Sequence, residues 1–153
     1  MTESLYLSHI LVPIDGSECS RFAAEHALRI AQAYAAEILF VHAVDEQLVA
    51  ELAQRESDDG QQQVRERLHE NGRIYLRDVA RLADAQHVPH REQVVEGDPA
   101  AVVCETAAAA HIDLIVMGKI GRRGARRILV GSIARRVIES TEVPVLIVSG
   151  PPV

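Results

Sequence analysis

Four small residues near the C-terminus have the types and the spacing that could bind phosphate groups. Gly118 follows directly on an apolar run, Gly121 comes three residues later, and Gly131-Ser132 opens a second helical pattern. Glycine lets a ligand approach the backbone closely. The free N–H groups of a first helical turn bind anions, with help from the helix dipole. These residues therefore indicate a loop and a helix terminus that could hold a phosphate chain.

Each of these features also has a simpler interpretation. Gly118 or Gly121 alone is typical of an ordinary turn, and Ser132 could serve only as a helix N-cap. The basic residues between the glycines would attract a polyphosphate, although most charge runs form a solvated face. We expect one or two of them to contact phosphate and the others to face water; they are Lys119, Arg122, Arg123, Arg126 and Arg127.

The spacing Gly-x2-Gly-x9-Gly-Ser, together with four further segments in the same order, resembles the universal stress protein family in its ATP-binding subgroup. The four segments are Ile10–Ser17, Leu39–His42, Glu96–Pro99 and Val143–Val148. The resemblance covers nearly the whole chain. It departs locally at Lys119 and Arg122-Arg123, where smaller or more neutral residues are expected.

The resemblance implies a site for ATP or another adenine nucleotide, with Mg²⁺ bound through the phosphates. It implies that Asp15 approaches the ribose or the magnesium and that the backbone of Val41 reads the adenine edge. Met117 is either core or one wall of the pocket, and no side-chain metal site is expected. The residues expected to contact the nucleotide are Pro13, Ile14, Asp15, Ser17, Val41, Met117, Gly118, Lys119, Gly121, Arg122, Gly131, Ser132 and Ile133.

Strand and helix signals alternate along the chain and predict one doubly wound α/β domain over residues 1–153. The last two predicted strands are continuous apolar runs, which is typical of strands buried on both faces of a parallel sheet. The sequence itself leaves the strand order open, and the resemblance implies the order 3-2-1-4-5. The predicted strands are 9–14, 37–43, 91–96, 113–117 and 144–148.

Helix starts are predicted where capping residues precede helical spacing. Ser17 is a plausible N-cap, and Asp98 caps a helix that has Pro99 at its first position. A long helix is expected over 61–86 in spite of Gly72. A polar stretch at 45–60 is expected to precede it, with Ser57–Gly60 as a turn.

Composition bounds the class of protein. The chain has 153 residues, a formal net charge of −6, and 48% hydrophobic but only 3% aromatic residues. Because nucleic-acid binding demands positive surface, the acidic balance argues against it. Neither a signal peptide nor a membrane span is expected, so a cytoplasmic protein is the default. Cys19 and Cys104 lie far apart and are expected to be small buried residues rather than a disulfide or a metal site.

Three functions stay open at this point. The leading hypothesis is a regulatory stress-response protein that binds ATP. The second is a slow ATPase or an autophosphorylating enzyme, against which the absence of a well-placed general base argues. The third is an interaction module that needs no nucleotide and binds an unidentified protein partner. A homodimer is expected through the edge strand 144–148, and His42 is expected to be structural.

Overall fold

A computed structural model of the chain describes residues 6–121 and 129–151. Its strands are β1 (His9–Pro13), β2 (Glu37–Asp45), β3 (His90–Gly97), β4 (Leu114–Gly118) and β5 (Val145–Val148). Its helices are α1 (Glu18–Tyr34), α2 (Glu46–Ala53), α3 (Asp58–Ala85), α4 (Pro99–Ala109) and α5 (Ser132–Ser140). No helix within the described ranges is long and apolar enough to cross a membrane.

The strands form one parallel sheet in the order β3-β2-β1-β4-β5, which confirms the predicted fold class and strand order. β1 and β4 are neighbours although about a hundred residues separate them, with Leu11 opposite Ile115. The strand order reverses at this pair, and ligands of such sheets bind outside the carboxyl ends of the strands at that point. Pro13 and Gly118 end the two strands at this edge.

Alternating side chains of the sheet pack into two aliphatic layers. α1 and α3 cover one face, where the buried strand residues include Ile10, Val12, Ile14, Ile38 and Phe40. α4 and α5 cover the other face, where they include Leu11, Leu39, Val41, Ile115 and Met117. The central residues of β1 and β4 are thus buried on both faces, and the carboxyl ends of the two strands lie side by side.

Among the described residues, four helices begin with a side-chain cap, as the sequence predicts for two of them. Ser17 accepts a hydrogen bond from the N–H of Ser20, and Asp98 accepts one from the N–H of Ala101. Asp45 and Ser57 cap α2 and α3 in the same way. The expectation that Ser132 is an N-cap is wrong, because the N-cap of α5 is Gly131 and Ser132 is its first helical residue.

The polar stretch 45–60 differs from the prediction. It holds α2 and the first turn of α3, so the predicted turn at 57–60 is wrong. Ser57 caps α3, and two aspartates follow in the first turn, where the positive end of the helix dipole stabilises negative charge. These are helix-start signals, and they outweigh the presence of Gly60. α3 then continues through Gly72 to Ala85.

β5 is less buried than its apolar sequence predicts. It lies at the edge of the sheet, and the side chain of Leu146 is 38% exposed. The prediction of an edge strand is confirmed, whereas burial of this strand on both faces is wrong. An edge strand pairs on one side only, so one row of its backbone groups is open to another chain.

Candidate functional site

The turn after β1 carries the first predicted site residues. The carboxylate of Asp15 accepts a hydrogen bond from the N–H of Ser17 through Oδ1, at 2.9 Å. The hydroxyl oxygen of Ser17 accepts a hydrogen bond from the N–H of Ser20 at 3.1 Å. Gly16, between Asp15 and Ser17, has φ +82°. The N–H and the hydroxyl of Ser17 therefore stabilise the start of α1. The other carboxylate oxygen of Asp15 is Oδ2.

That second oxygen lies beside the loop that follows β4. A Cβ built on Gly121 would be only 2.8 Å from Oδ2 of Asp15. The structure thus brings together two predicted site residues that are more than a hundred positions apart. The missing side chain of Gly121 is what allows the loop to approach the carboxylate.

Gly118 lacks a side chain for a different reason. A Cβ at this position would be 2.9 Å from Sγ of Cys19 and 3.1 to 3.2 Å from its backbone carbonyl group. Cys19 lies in the first turn of α1, and its thiol donates to the carbonyl of Val148 at 3.4 Å. Gly118 therefore lets α1 pack against the end of β4, a structural role that the sequence analysis did not identify.

The start of α5 lies beside Lys119, the residue that follows β4. The N–H of Lys119 donates to the carbonyl of Val148, and the carbonyl of Lys119 accepts from the N–H of Gly131, both at 2.8 Å. A Cβ on Gly131 would be 3.3 Å from that carbonyl oxygen. The first turn of α5 consequently lies next to the carboxyl end of β4.

The N-terminus of α5 has no side-chain cap, whereas the other four described helices each have one. The first N–H groups of a helix have no acceptor within the helix, and here the first backbone bond runs from Arg135 to the carbonyl of Gly131. Ser132 and Ile133 are exposed at this terminus. We name the group Lys119, Gly121, Gly131, Ser132 and Ile133 the cradle.

The remaining predicted site residues are mostly buried around this edge. Ile14 and Val41 lie in opposite core layers and are joined by a hydrogen bond from the N–H of Ile14 to the carbonyl of Val41, at 2.8 Å. Val41 lies within β2 rather than at its end. Met117 is buried, as expected for core, and Pro13 is half-buried. Arg122 and the basic residues Arg123, Arg126 and Arg127 lie outside the described residues.

An ion pair between α4 and α5 was not foreseen. The guanidinium of Arg136 donates to both carboxylate oxygens of Asp98, at 2.9 and 2.7 Å. This pairing and the N–H of Ala101 hold the pKa of Asp98 below its ordinary value of 3.8. Because Arg136 is one turn from Ser132, the pair ties the start of α5 to the start of α4. Only the Glu96–Pro99 segment of the sequence marked this region in advance.

A surface groove of about 440 Å³ lies on the other side of the β1–α1 turn, between α1 and α3. Its walls include Ile14, Gly16 and Ser17 from the turn, and Tyr75 and Arg77 from α3. The cradle residues do not line it. The turn therefore lies between this groove and the cradle.

The sequence as a whole matches a known family. Residues 7–149 match the pattern of the Universal stress protein family. The universal stress protein MJ0531 of Methanocaldococcus jannaschii is 38% identical over 149 residues, which are 97% of this chain and 85% of that protein. The chain belongs to the universal stress protein family. The resemblance inferred from the five sequence segments is thereby confirmed at the level of the family.

Solved structures agree with the universal stress protein fold. The structure of MJ0577, also from M. jannaschii, has a TM-score of 0.85 at 23% identity and covers 97% of this chain and 99% of its own. A universal stress protein solved in complex with cAMP has a TM-score of 0.70 at 24% identity, with 94% and 98% covered. An Arabidopsis thaliana member solved with AMP bound also has a TM-score of 0.70, at 17% identity, with 94% and 92% covered.

Proposed function

We propose that this universal stress protein binds ATP at the carboxyl ends of β1 and β4 and acts as a nucleotide-dependent regulatory protein. The observation that carries the proposal is the uncapped start of α5, which lies where the strand order of the sheet reverses. An anion at this place would accept hydrogen bonds from backbone N–H groups and would interact favourably with the helix dipole. A phosphate would thus replace the missing cap.

The cradle and the β1–α1 turn bind different parts of the nucleotide. The first turn of α5 and the loop at Gly121 hold the phosphates, and the ammonium of Lys119 adds positive charge. A carboxylate beside phosphates is unfavourable unless it accepts a hydrogen bond or binds a cation. Asp15 therefore faces the ribose hydroxyls or a Mg²⁺ ion that the phosphates carry. Pro13, half-buried at the end of β1, borders the base, while the backbone near Val41 reads its edge.

The solved relatives support an adenine nucleotide as the ligand. One universal stress protein binds cAMP and another binds AMP. Both ligands contain adenine, ribose and one phosphate. The start of α5 adds backbone N–H groups that could bind further phosphates, and on this basis we propose that the present chain binds ATP rather than a monophosphate.

Regulation rather than rapid catalysis follows from the groups at this site. Asp15 is the carboxylate that the described residues place beside the cradle; its Oδ1 accepts the N–H of Ser17, and in the proposed complex its Oδ2 faces the ribose or the Mg²⁺ rather than an attacking water. A general base must reach the attacking group with a free lone pair. We therefore propose that bound nucleotide is turned over slowly, if at all, and that its phosphates order the surface near α5 for a protein partner.

The test begins with the protein as purified. We expect denaturation to release an adenine nucleotide that mass spectrometry identifies, or else the nucleotide-free protein to gain thermal stability with millimolar Mg-ATP. A parallel assay of released phosphate measures turnover. Protein that carries no nucleotide and shows no thermal shift with ATP would overturn the proposal. Rapid turnover that Ser132→Ala abolishes would instead favour the enzyme.

A further inference from the structure

The β1–α1 turn, which carries Asp15, is bonded to the start of α1: the N–H of Asp15 donates to the hydroxyl oxygen of Ser20 at 3.4 Å, and the N–H of Ser17 donates to Asp15. After Pro13 the sheet continues through the bond from the N–H of Ile14 to the carbonyl of Val41. The next residue is Asp15, followed by Gly16 with φ +82°, a conformation that glycine adopts easily and other residues rarely do. The surface groove opens on the other side of the turn, where β2 and α3 add further contacts.

His42, within β2, supplies a hydrogen bond to this turn. Its Nδ1 lies 2.6 Å from the carbonyl oxygen of Ile14. A carbonyl oxygen only accepts, so Nδ1 carries the proton. Burial lowers the pKa of His42 below 6.5, against smaller opposing effects of the Ile14 carbonyl and Asp15, and His69 lowers it further. The imidazole is therefore mostly neutral at pH 7, with its proton fixed on Nδ1.

Two glycines and two aromatic rings pack together between β2, α3 and the β1–α1 turn. A Cβ on Gly72 of α3 would overlap Cδ2 of the His42 imidazole. A Cβ on Gly16 would be 2.7 Å from two ring carbons of Tyr75. The His42 and Tyr75 rings meet edge to face, with centroids 5.5 Å apart. Each glycine thus leaves the space that one ring fills, and α3 contacts the turn through both.

Packing alone does not account for this choice of residues. Glycine is among the least favourable residues in a helix interior, and a half-buried imidazole must keep its polar atoms satisfied. An aliphatic residue at position 42 over alanine at position 72 would give an ordinary core contact. Departures of this kind from stable packing are expected near functional sites.

We propose that His42 is a positioning residue of the nucleotide site, which holds Ile14 so that the next residue, Asp15, faces the ligand. This inference rests on the proposed ATP site and adds a residue that touches the turn rather than the nucleotide. The hydrogen bond to Ile14 transmits the position of α3 to Asp15. Loss of the donor leaves the carbonyl of Ile14 unpaired and lets the turn move.

The test compares two substitutions that separate the donor from the packing. His42→Leu fills the space without a donor, and His42→Asn places an amide N–H where Nδ1 stands. We expect His42→Leu to bind ATP about tenfold more weakly, as for the loss of a buried hydrogen bond. His42→Asn should stay within about threefold of the wild type. In thermal unfolding we expect His42→Leu to be more stable than His42→Asn, because leucine packs better than asparagine.

Hydrogen exchange of the Ser17 amide gives a readout that needs no nucleotide. This N–H donates to Asp15, so we expect it to exchange faster in His42→Leu and to stay protected in His42→Asn. Ile38→Val, on the same face at the far end of β2, is the control for general destabilisation and should change neither ATP affinity nor this exchange. Wild-type ATP affinity and Ser17 protection in folded His42→Leu would overturn the inference. If the wild type fails to bind ATP while the exchange order holds, only the proposed function fails and the support of the turn stands.

Discussion

Gly118 and Gly121 both lack side chains for reasons visible in the structure, but the reasons differ. Gly118 makes room for the backbone of Cys19, and Gly121 makes room for the carboxylate of Asp15. A backbone neighbour cannot move aside, whereas the end of a flexible side chain can. The same residue type therefore supports the fold at one position and faces the site at the other.

This difference predicts opposite outcomes for two alanine substitutions. Gly118→Ala should destabilise the protein by about 1–3 kcal/mol, as for an overpacked core. Gly121→Ala should cost at most about 0.5 kcal/mol but displace Asp15 and weaken ATP binding. Urea unfolding and an ATP titration of both variants measure the two effects. Full stability of Gly118→Ala would contradict the assigned packing against Cys19.

The glycine motif could be predicted from the sequence, but the different role of each glycine could not. Spacing places Gly118, Gly121 and Gly131 in one pattern, and it says nothing about which atoms they face. The contact of Gly118 with Cys19 and that of Gly72 with His42 join residues that are 30 or more positions apart. Such pairs become visible only when the sheet and its covering helices are assembled.

Among the elements, α5 offers the most direct test of the phosphate site. An aspartate at the N-cap position would accept the N–H groups that are proposed to bind phosphate. We expect Gly131→Asp to be about 1 kcal/mol more stable than Gly131→Ala, which shares the crowding against Lys119 but offers no cap. Gly131→Asp should nevertheless lose ATP binding. Equal ATP affinity of the two variants would contradict a role of these N–H groups.

The Asp98–Arg136 pair predicts that the contact between α4 and α5 weakens in acid. The pKa of Asp98 is depressed by Arg136 and by the N–H of Ala101, so its charged form stabilises the folded state. That stabilisation is fully present above the ordinary pKa of 3.8 and is lost as the pH falls through the lower folded-state value.

Asp98→Asn tests this linkage because asparagine can still cap α4. We expect the wild type to be more stable than the variant above about pH 5 and the difference to shrink below about pH 4. Unfolding midpoints measured from pH 7 to pH 2 give the comparison. A difference that stays constant into strong acid would exclude Asp98 as its source.

The elements themselves were largely predictable. β-rich runs alternated with capped helical patterns, and Ser17 and Asp98 start helices as expected. α2 was missed because its surroundings are polar, and the first turn of α3 was missed because Gly60 resembled a turn residue. The strand order required the family resemblance, since apolar runs of similar composition do not specify which strands are neighbours.

For the whole molecule, the open edge at β5 indicates assembly. Leu146 on β5 and Ile138 on α5 are exposed apolar residues, 38% and 46% accessible. We propose that two copies pair through β5 about a two-fold axis, which is the commonest arrangement of soluble oligomers. The sequence suggested this edge, and the structure adds the exposed side chain of Leu146 on it.

Leu146→Asp should convert the dimer to a monomer, because it places a charge on each side of the interface. Light scattering at micromolar concentration measures the molar mass. Ile74→Asp is the control, since Ile74 is also exposed and apolar but lies on α3, which covers β2 and β3. A monomeric wild type would end the proposal, as would an unchanged dimer of Leu146→Asp.

Calorimetric titration of the nucleotide-free wild type with Mg-ATP and with AMP tests the central claim most directly. If main-chain N–H groups at Gly131–Ile133 hold the phosphate chain, ATP should bind at least about tenfold more tightly than AMP, a difference of about 1.4 kcal/mol. Equal affinity for the two nucleotides, or no binding of ATP at millimolar concentration, would contradict the account.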